Sequence, residues 1–301
     1  MRILSVHLTD LCNSKCSFCV VGSPLYVADT IAYADVKSFL TSNAHTGFDA
    51  VNLHGGEATI HPNFIDTLRL IQRLGYPEVQ LQTNGIRLAD TGFAELISSL
   101  GVKLLIISLH GDTPQLHDAQ TATTGGFVRT LEGIRNVKRL GLRVRTNTVI
   151  TTQNVPRLGH LAQLAIDLGV DHLNFSNIHP VGSAQFGFVR IVPTFEEVRK
   201  FLYPALDLAL SAGRSVTLEG FPYCTVPEYI NLHINEQTRE VRMLMRGRII
   251  EDYDRFMNQT CRIYGQPCAD CCVRERCGGV YPEYVQQRGW NDFSTISSAA
   301  A

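Results

Sequence analysis

The sequence has almost no net charge, no long apolar run and no cysteine between Cys19 and Cys224. Its 27 basic and 28 acidic side chains leave a formal charge of −1, so there is no basic excess of the kind that holds nucleic acid or an anionic membrane. No apolar stretch approaches the ~20 residues needed to cross a bilayer. The opening Met1-Arg2-Ile3-Leu4-Ser5-Val6-His7 lacks the apolar core and small-residue cleavage site of a signal peptide. Low-complexity tracts are missing apart from the tail Ser297-Ser298-Ala299-Ala300-Ala301, which reads as disordered. Intrinsic disorder of the whole is excluded, because 45% of the residues are hydrophobic and the charges cancel. The expectation is a cytoplasmic globular protein with neither nucleic acid nor membrane as partner. A length of 301 residues allows one large domain or two modest ones.

What is present is cysteine, nine residues in two groups. Cys12, Cys16 and Cys19 open the chain, and Cys224, Cys261, Cys268, Cys271, Cys272 and Cys277 close it. A disulfide scaffold is small and spreads its cysteines throughout, so this pattern reads as metal or cluster binding in a reducing compartment.

Between the groups, short β-rich runs alternate with longer segments of helical period, the pattern of βα units on a parallel sheet. Strands are expected over 3–8, 50–53, 78–82, 104–108, 143–150 and 172–177. Helices are expected over 34–42, 63–74, 93–100, 127–140 and 156–168. Gly75, Gly101, Gly141 and Gly169 stand where helix C-caps belong. Six such units are too few for a closed eightfold barrel and suit an open one, a partial (βα)6 TIM-like barrel of α/β class. Thr194 and Glu197 form a capping box for a further helix. A last strand, 215–219, precedes Cys224, after which the alternation stops. The division expected is therefore a core of residues 1–214 and a small, irregular, cysteine-rich domain of residues 215–301.

Cys12-x3-Cys16-x2-Cys19 follows the first strand immediately, at the strand end where α/β folds place their chemistry. Three thiolates this close can hold three irons of a cubane and leave the fourth iron without a protein ligand. Zinc is the competing reading, and it lacks a good fourth ligand nearby. The run Cys12-Asn13-Ser14-Lys15-Cys16-Ser17-Phe18-Cys19 resembles the signature of the radical SAM enzymes. Gly55-Gly56-Glu57, Thr83-Asn84-Gly85 and Ser108-Leu109-His110-Gly111 are similar to that family's segments in order, each at a strand's C-terminal end.

The resemblance implies a SAM-binding 4Fe–4S cluster on Cys12, Cys16 and Cys19, and S-adenosylmethionine cleaved to a 5′-deoxyadenosyl radical that abstracts hydrogen from a substrate. It implies that Gly55 and Gly56 let backbone approach the ligand, that Glu57 accepts the SAM ammonium, and that Ser108 meets the ribose. Phe18 would pack by the adenine. Asn84, Asn147 and His179 would be polar contacts, although strand-end caps or local hydrogen bonds account for these three equally well. Several relatives place an arginine after a His-Asp pair to meet the SAM carboxylate; here His117-Asp118 is followed by Ala119-Gln120-Thr121, and Arg145 is the candidate substitute. An electron donor such as flavodoxin or ferredoxin is implied as partner.

Cys268-x2-Cys271-x5-Cys277 resembles part of the SPASM/twitch extensions, which implies one auxiliary 4Fe–4S cluster. Its most economical ligand set is Cys224, Cys268, Cys271 and Cys277, with Cys261 as substitute, and a zinc site is the alternative. The reaction expected is an oxidation, a dehydrogenation or cross-link, of a small molecule or peptide. The alternatives are a redox-neutral epimerase or mutase, with Cys272 or Cys261 as hydrogen donor, and a non-catalytic zinc or cluster protein. Because the chain starts on its first strand, a small substrate, or a peptide presented by a separate partner, is favoured. His54, His110, Asp112, His179, Glu219 and Tyr223 are acid/base candidates near the strand ends, none assigned a catalytic role.

Overall fold

In chain order the elements are β1 (Arg2–His7), α1 (Tyr33–Asn43), β2 (Ala50–His54), α2 (Phe64–Arg73), β3 (Glu78–Thr83), α3 (Thr91–Ser99), β4 (Val102–Ser108), α4 (Pro114–Thr121), α5 (Gly126–Arg139), β5 (Arg143–Ile150), α6 (Leu158–Asp167), β6 (His172–Asn177), α7 (Phe188–Ile191), α8 (Phe195–Ser211), β7 (Ser215–Glu219), β8 (Glu240–Met245), β9 (Arg248–Ile250), α9 (Tyr253–Thr260) and α10 (Pro282–Arg288). This computed structural model describes residues 1–22 and 29–297; most of the expected disordered tail lies outside them.

The strands form one nine-stranded sheet in the order β7-β6-β5-β4-β3-β2-β1-β8-β9. β1 to β7 are parallel neighbours throughout, the expected open barrel. All six expected strands and the strand at 215–219 are present. The four predicted cap glycines all have left-handed φ, and Thr194 caps α8 in the box expected with Glu197. Among the elements not expected are β8, β9 and α4, a separate eight-residue helix after β4, capped by Thr113 with Pro114 in its first turn.

The expected domain boundary is displaced. β7 pairs in parallel with β6, so a cut before residue 215 divides a continuous sheet. The C-terminal part also returns to the barrel's other edge, where β8 pairs in parallel with β1 and β9 folds back on β8. Cysteine-rich irregular structure begins only after these strands, apart from the segment carrying Cys224.

Side chains alternate across the sheet. The outer face, packed under the helices, is apolar: Leu4, Val6, Leu53, Leu81, Leu105, Ile107, Val144, Phe175 and Leu218 are all buried. Each such side chain contributes about 1.5–3 kcal/mol on burial. The inner face is polar over most of its width, with Ser5, His7, Asn52, His54, Gln80, Ser108, Arg145, Asn147, Asn174, Thr217 and Glu219. A closed barrel fills that space with branched apolar side chains; this one leaves a hydrogen-bonding lumen.

Candidate active site

Beyond β1 the chain crosses the strand ends, and Cys12, Cys16 and Cys19 line one cleft that opens to solvent. The loop is held from α4. Lys15 N donates to Thr121 O (2.9 Å) and Ser17 N to Gln120 O (3.0 Å). The last carbonyls of a helix have no partner within it, and here they accept the cysteine loop. Burial pushes the Cys12 thiol up to about 11 and the Cys16 thiol up to about 12, so these sulfurs carry protons until a metal displaces them.

Gly55 and Gly56 also line the cleft, but the space for a Cβ lies elsewhere. At Gly56 a Cβ would strike the Leu11 carbonyl oxygen and stand 2.6 Å from that of Asp10; at Gly55 it would strike Thr9 O. Gly56 N donates to Thr9 O (2.6 Å) and Glu57 N to Leu11 O (2.9 Å). The two glycines therefore let the cysteine loop press against the end of β2, a different reason from the expected approach of a ligand.

Glu57 is buried, 1% exposed, and is absent from the cleft wall. Its Oε1 accepts from Thr59 N (3.1 Å), Thr59 Oγ1 (2.7 Å) and Thr83 Oγ1 (2.8 Å), and its Oε2 from Asn84 N (2.8 Å). Burial pushes its carboxyl up while these donors pull it down. The carboxylate ties the end of β2 to the end of β3. Oε2 accepts only the Asn84 amide among these bonds and keeps lone-pair capacity beyond it.

The second cavity is lined by Cys224, Cys268, Cys271 and Cys277 together with Tyr264, Val273 and Arg274. A small separate core of Tyr223, Val273 and Ile296 packs behind it, and Tyr223 N points at Cys277 Sγ (3.5 Å). Cys272 is exposed, its amide bonded to Ile296 O (3.0 Å). Cys261 is partly buried, beside Arg262 and Glu283, which act oppositely on its thiol. Neither lines the second cavity. Among the described residues no three His, Cys, Asp or Glu side chains converge on a single-ion site.

Residues 6–176 match the family model described as the radical SAM superfamily. The chain belongs to this superfamily. It is 29% identical over 205 residues to a probable GTP 3′,8-cyclase of Sulfurisphaera tokodaii, covering 68% of this chain and 64% of that protein. It is likewise 29% identical over 188 residues to one of Saccharolobus solfataricus, covering 62% and 59%. The chain thus spans less than two thirds of the length of these relatives. Among solved structures, Streptococcus suis SuiB bound to S-adenosylmethionine shares the fold with a TM-score of 0.70 at 15% identity, covering 98% of this chain and 76% of that one. Native anSMEcpe with bound AdoMet and a peptide shares it with a TM-score of 0.59 at 18% identity, covering 72% and 62%.

In this radical SAM core the expected contacts divide into two sets. Asn84 and Ser108 stand on the cleft wall with the three cysteines. Asn84 Nδ2 donates to Asn13 Oδ1 (2.6 Å) and its Oδ1 accepts from Ile86 N (3.0 Å), so part of its polarity serves the turn. Phe18 is buried against His110 with ring centroids 4.7 Å apart and is off the wall. Asn147 faces the lumen, its Oδ1 accepting from Asn174 Nδ2 (2.7 Å) and Ser176 Oγ (2.8 Å). His179 turns away from the cleft to stack on Tyr281 at 4.1 Å. Arg145, the substitute for a missing arginine, also lies off the wall and donates to Asn174 Oδ1 (2.6 Å); among the described residues no arginine or lysine is on that wall.

His110 and His117 do line the cleft. His110 Nδ1 accepts from Val149 N (3.3 Å), which leaves Nε2 as the nitrogen that carries hydrogen in the neutral ring. Burial pushes His110 down to about 3, so the ring is neutral. His117 arrives on the unexpected α4, and only recognition of that helix could have placed it. Of the other acid/base candidates, Asp112 pairs with Arg157 and Tyr223 donates to Glu236 (2.6 Å).

Proposed function

We propose that this radical SAM enzyme oxidises a small molecule or peptide held in the barrel lumen, with one auxiliary 4Fe–4S cluster on Cys224, Cys268, Cys271 and Cys277. The observation that carries the reading is that these four thiols rim one cavity while a separate cleft holds the other three. Four thiols around a cavity suit a multi-iron core better than zinc, whose ~2.3 Å bonds to sulfur draw its ligands to a point. The first cleft fits a cluster with an open iron: among the described residues it offers three thiols and no fourth cysteine, with backbone of Gly55 and Gly56 and the polar groups of Asn84 and Ser108 beside them.

With cluster and S-adenosylmethionine bound, that site supplies a 5′-deoxyadenosyl radical that takes hydrogen from the substrate. The chain's own residues do the rest. Loop contacts with α4 hold the three thiols in place, and neutral His110 offers an Nε2 donor at the wall. An oxidation needs an exit for the substrate's second electron, and the four-cysteine site is where this chain would accept it. Flavodoxin or ferredoxin is the proposed source of the first electron, and the cytoplasm the proposed location.

A redox-neutral reaction is the second reading, and the position of Cys261 favours it specifically. This thiol lies among Glu283, Arg262 and the lumen-side Tyr253 and Tyr281, whereas Cys272 faces solvent and is set aside as hydrogen donor. Iron and sulfide analysis of anaerobically reconstituted protein tests the assignment. The intact chain should hold about eight irons and the Cys12/Cys16/Cys19→Ala variant about four. Zinc in that variant, or no metal, would overturn the auxiliary cluster. Cys261→Ser should leave turnover intact in the oxidative reading and stop hydrogen return in the neutral one.

A further inference from the structure

The inner faces of β5, β6 and β7 carry a connected polar set whose partners are incomplete. Arg145 is 18% exposed in its side chain. Its Nη2 donates to Asn174 Oδ1 at 2.6 Å and stands 4.0 Å from Glu219 Oε2, and Nε has no partner. Leaving a guanidinium this short of acceptors is costly unless something else satisfies it. Glu219 faces the same space with its side chain 45% exposed and accepts a hydrogen bond from Asn174 Nδ2 (3.2 Å). Asn174 in turn is held by Asn147 and Ser176, so these groups are ordered before any guest arrives.

The set lies next to the cysteine cleft. Asn147 is the register partner of Ser108, and Ser108 is on the cleft wall. From the other side the segment after α9 contributes Arg262, whose Nε is also unpartnered and whose charge feels Glu219. A guest here would therefore meet a fork-shaped donor at Arg145 on β5, one strand from the cleft-lining Ser108 on β4, and the half-exposed carboxylate of Glu219 on β7, two strands further.

We infer that Arg145 and Glu219 form the substrate's recognition subsite, for a guest bearing one carboxylate flanked by a hydrogen-bond donor: an amino acid or a hydroxy acid. Arg145 takes the carboxylate, because a planar fork matches its two oxygens. Glu219 takes the neighbouring ammonium or hydroxyl. A phosphorylated guest suits the site less well, since each added negative charge would face Glu219.

This inference rests on the reading of the lumen as the substrate chamber. Its test is binding, so loss of radical chemistry and loss of the subsite read out separately. The anaerobically reconstituted full-length protein, with S-adenosylmethionine bound, is screened by saturation-transfer NMR and calorimetry. The probes are the free L-amino acids, their α-hydroxy counterparts, the corresponding carboxamides, and glucose 6-phosphate. At least one free amino or hydroxy acid should bind, and its carboxamide should not. Arg145→Gln should weaken that binding by about tenfold or more. Glu219→Gln should weaken amino acids more than hydroxy acids, which identifies the source. Arg143→Gln, on a guanidinium matched by Glu78, should leave affinity unchanged. Binding of none of the acids, equal binding of acid and carboxamide, preference for the sugar phosphate, or indifference to Arg145→Gln would each overturn the subsite.

Discussion

At Gly56 the missing Cβ decides whether the cysteine loop can reach the barrel. Gly56→Ala would push a methyl into the carbonyls of Asp10 and Leu11, backbone that cannot move without breaking the Glu57 N to Leu11 O bond. Overpacking of this kind costs about 1–3 kcal/mol. Thermal unfolding should show that loss, together with reduced iron at Cys12, Cys16 and Cys19. Glu57→Gln exchanges an oxygen for an NH2, which must either face the Asn84 amide or give up the threonine hydroxyls. An unsatisfied buried donor costs about 1–3 kcal/mol, so urea unfolding should show a drop of that size even in protein without S-adenosylmethionine. The residue pattern made both positions legible in the sequence. Their roles were not, because the loop that presses on Gly56 and the β3-end groups Thr83 and Asn84 that bind Glu57 are set by strand register rather than by neighbours in the chain.

Among the elements, the parallel strands were readable because each is a short β-rich run between helices. α4 escaped because its eight residues, Pro114–Thr121, carry little apolar pattern, yet its carbonyls hold the cysteine loop and its His117 reaches the cleft. β8 escaped because its partner, β1, lies at the far end of the chain, beyond any local pattern. The β8–β9 turn has its own tie to the metal end of the molecule. Arg246 Nε donates to Asp10 Oδ2 (3.0 Å), and Asp10 Oδ1 is 2.7 Å from His7 Nε2. Despite burial, these contacts hold the Asp10 carboxyl below its ordinary value. A carboxylate depressed on folding adds stability that is present above its unfolded pKa of about 3.9 and lost as pH falls through the folded value. Arg246→Ala should therefore destabilise the protein at pH 7 by about 1–3 kcal/mol, with the gap from wild type closing below about pH 4. A gap that persists there would assign the loss to packing instead.

Across the whole molecule the polar lumen separates this fold from a filled barrel, and it leaves a signature in the histidines. Burial pushes His54, His110 and His233 down to about 3 and His172 to about 4. Such a group stabilises the fold above its unfolded pKa of about 6.5 and loses that contribution as pH falls toward the folded value. His117 and His179 are likewise held near 4, so urea unfolding between pH 7 and 5 should show steeply falling stability, with about five to six protons taken up near pH 5; flat stability over that range would contradict neutral, buried histidines.

At this scale the two cysteine sites were legible as groups in the sequence, while the choice of Cys224, Cys268, Cys271 and Cys277 over Cys261 and Cys272 gains its support from the cavity they share. The central claim is that the Cys12–Cys16–Cys19 cleft cleaves S-adenosylmethionine. Its most direct test is chromatographic measurement of 5′-deoxyadenosine after reduced, anaerobically reconstituted protein is mixed with S-adenosylmethionine. The wild type should form the nucleoside and Cys16→Ala should not; none from wild-type protein carrying its full iron would contradict the account.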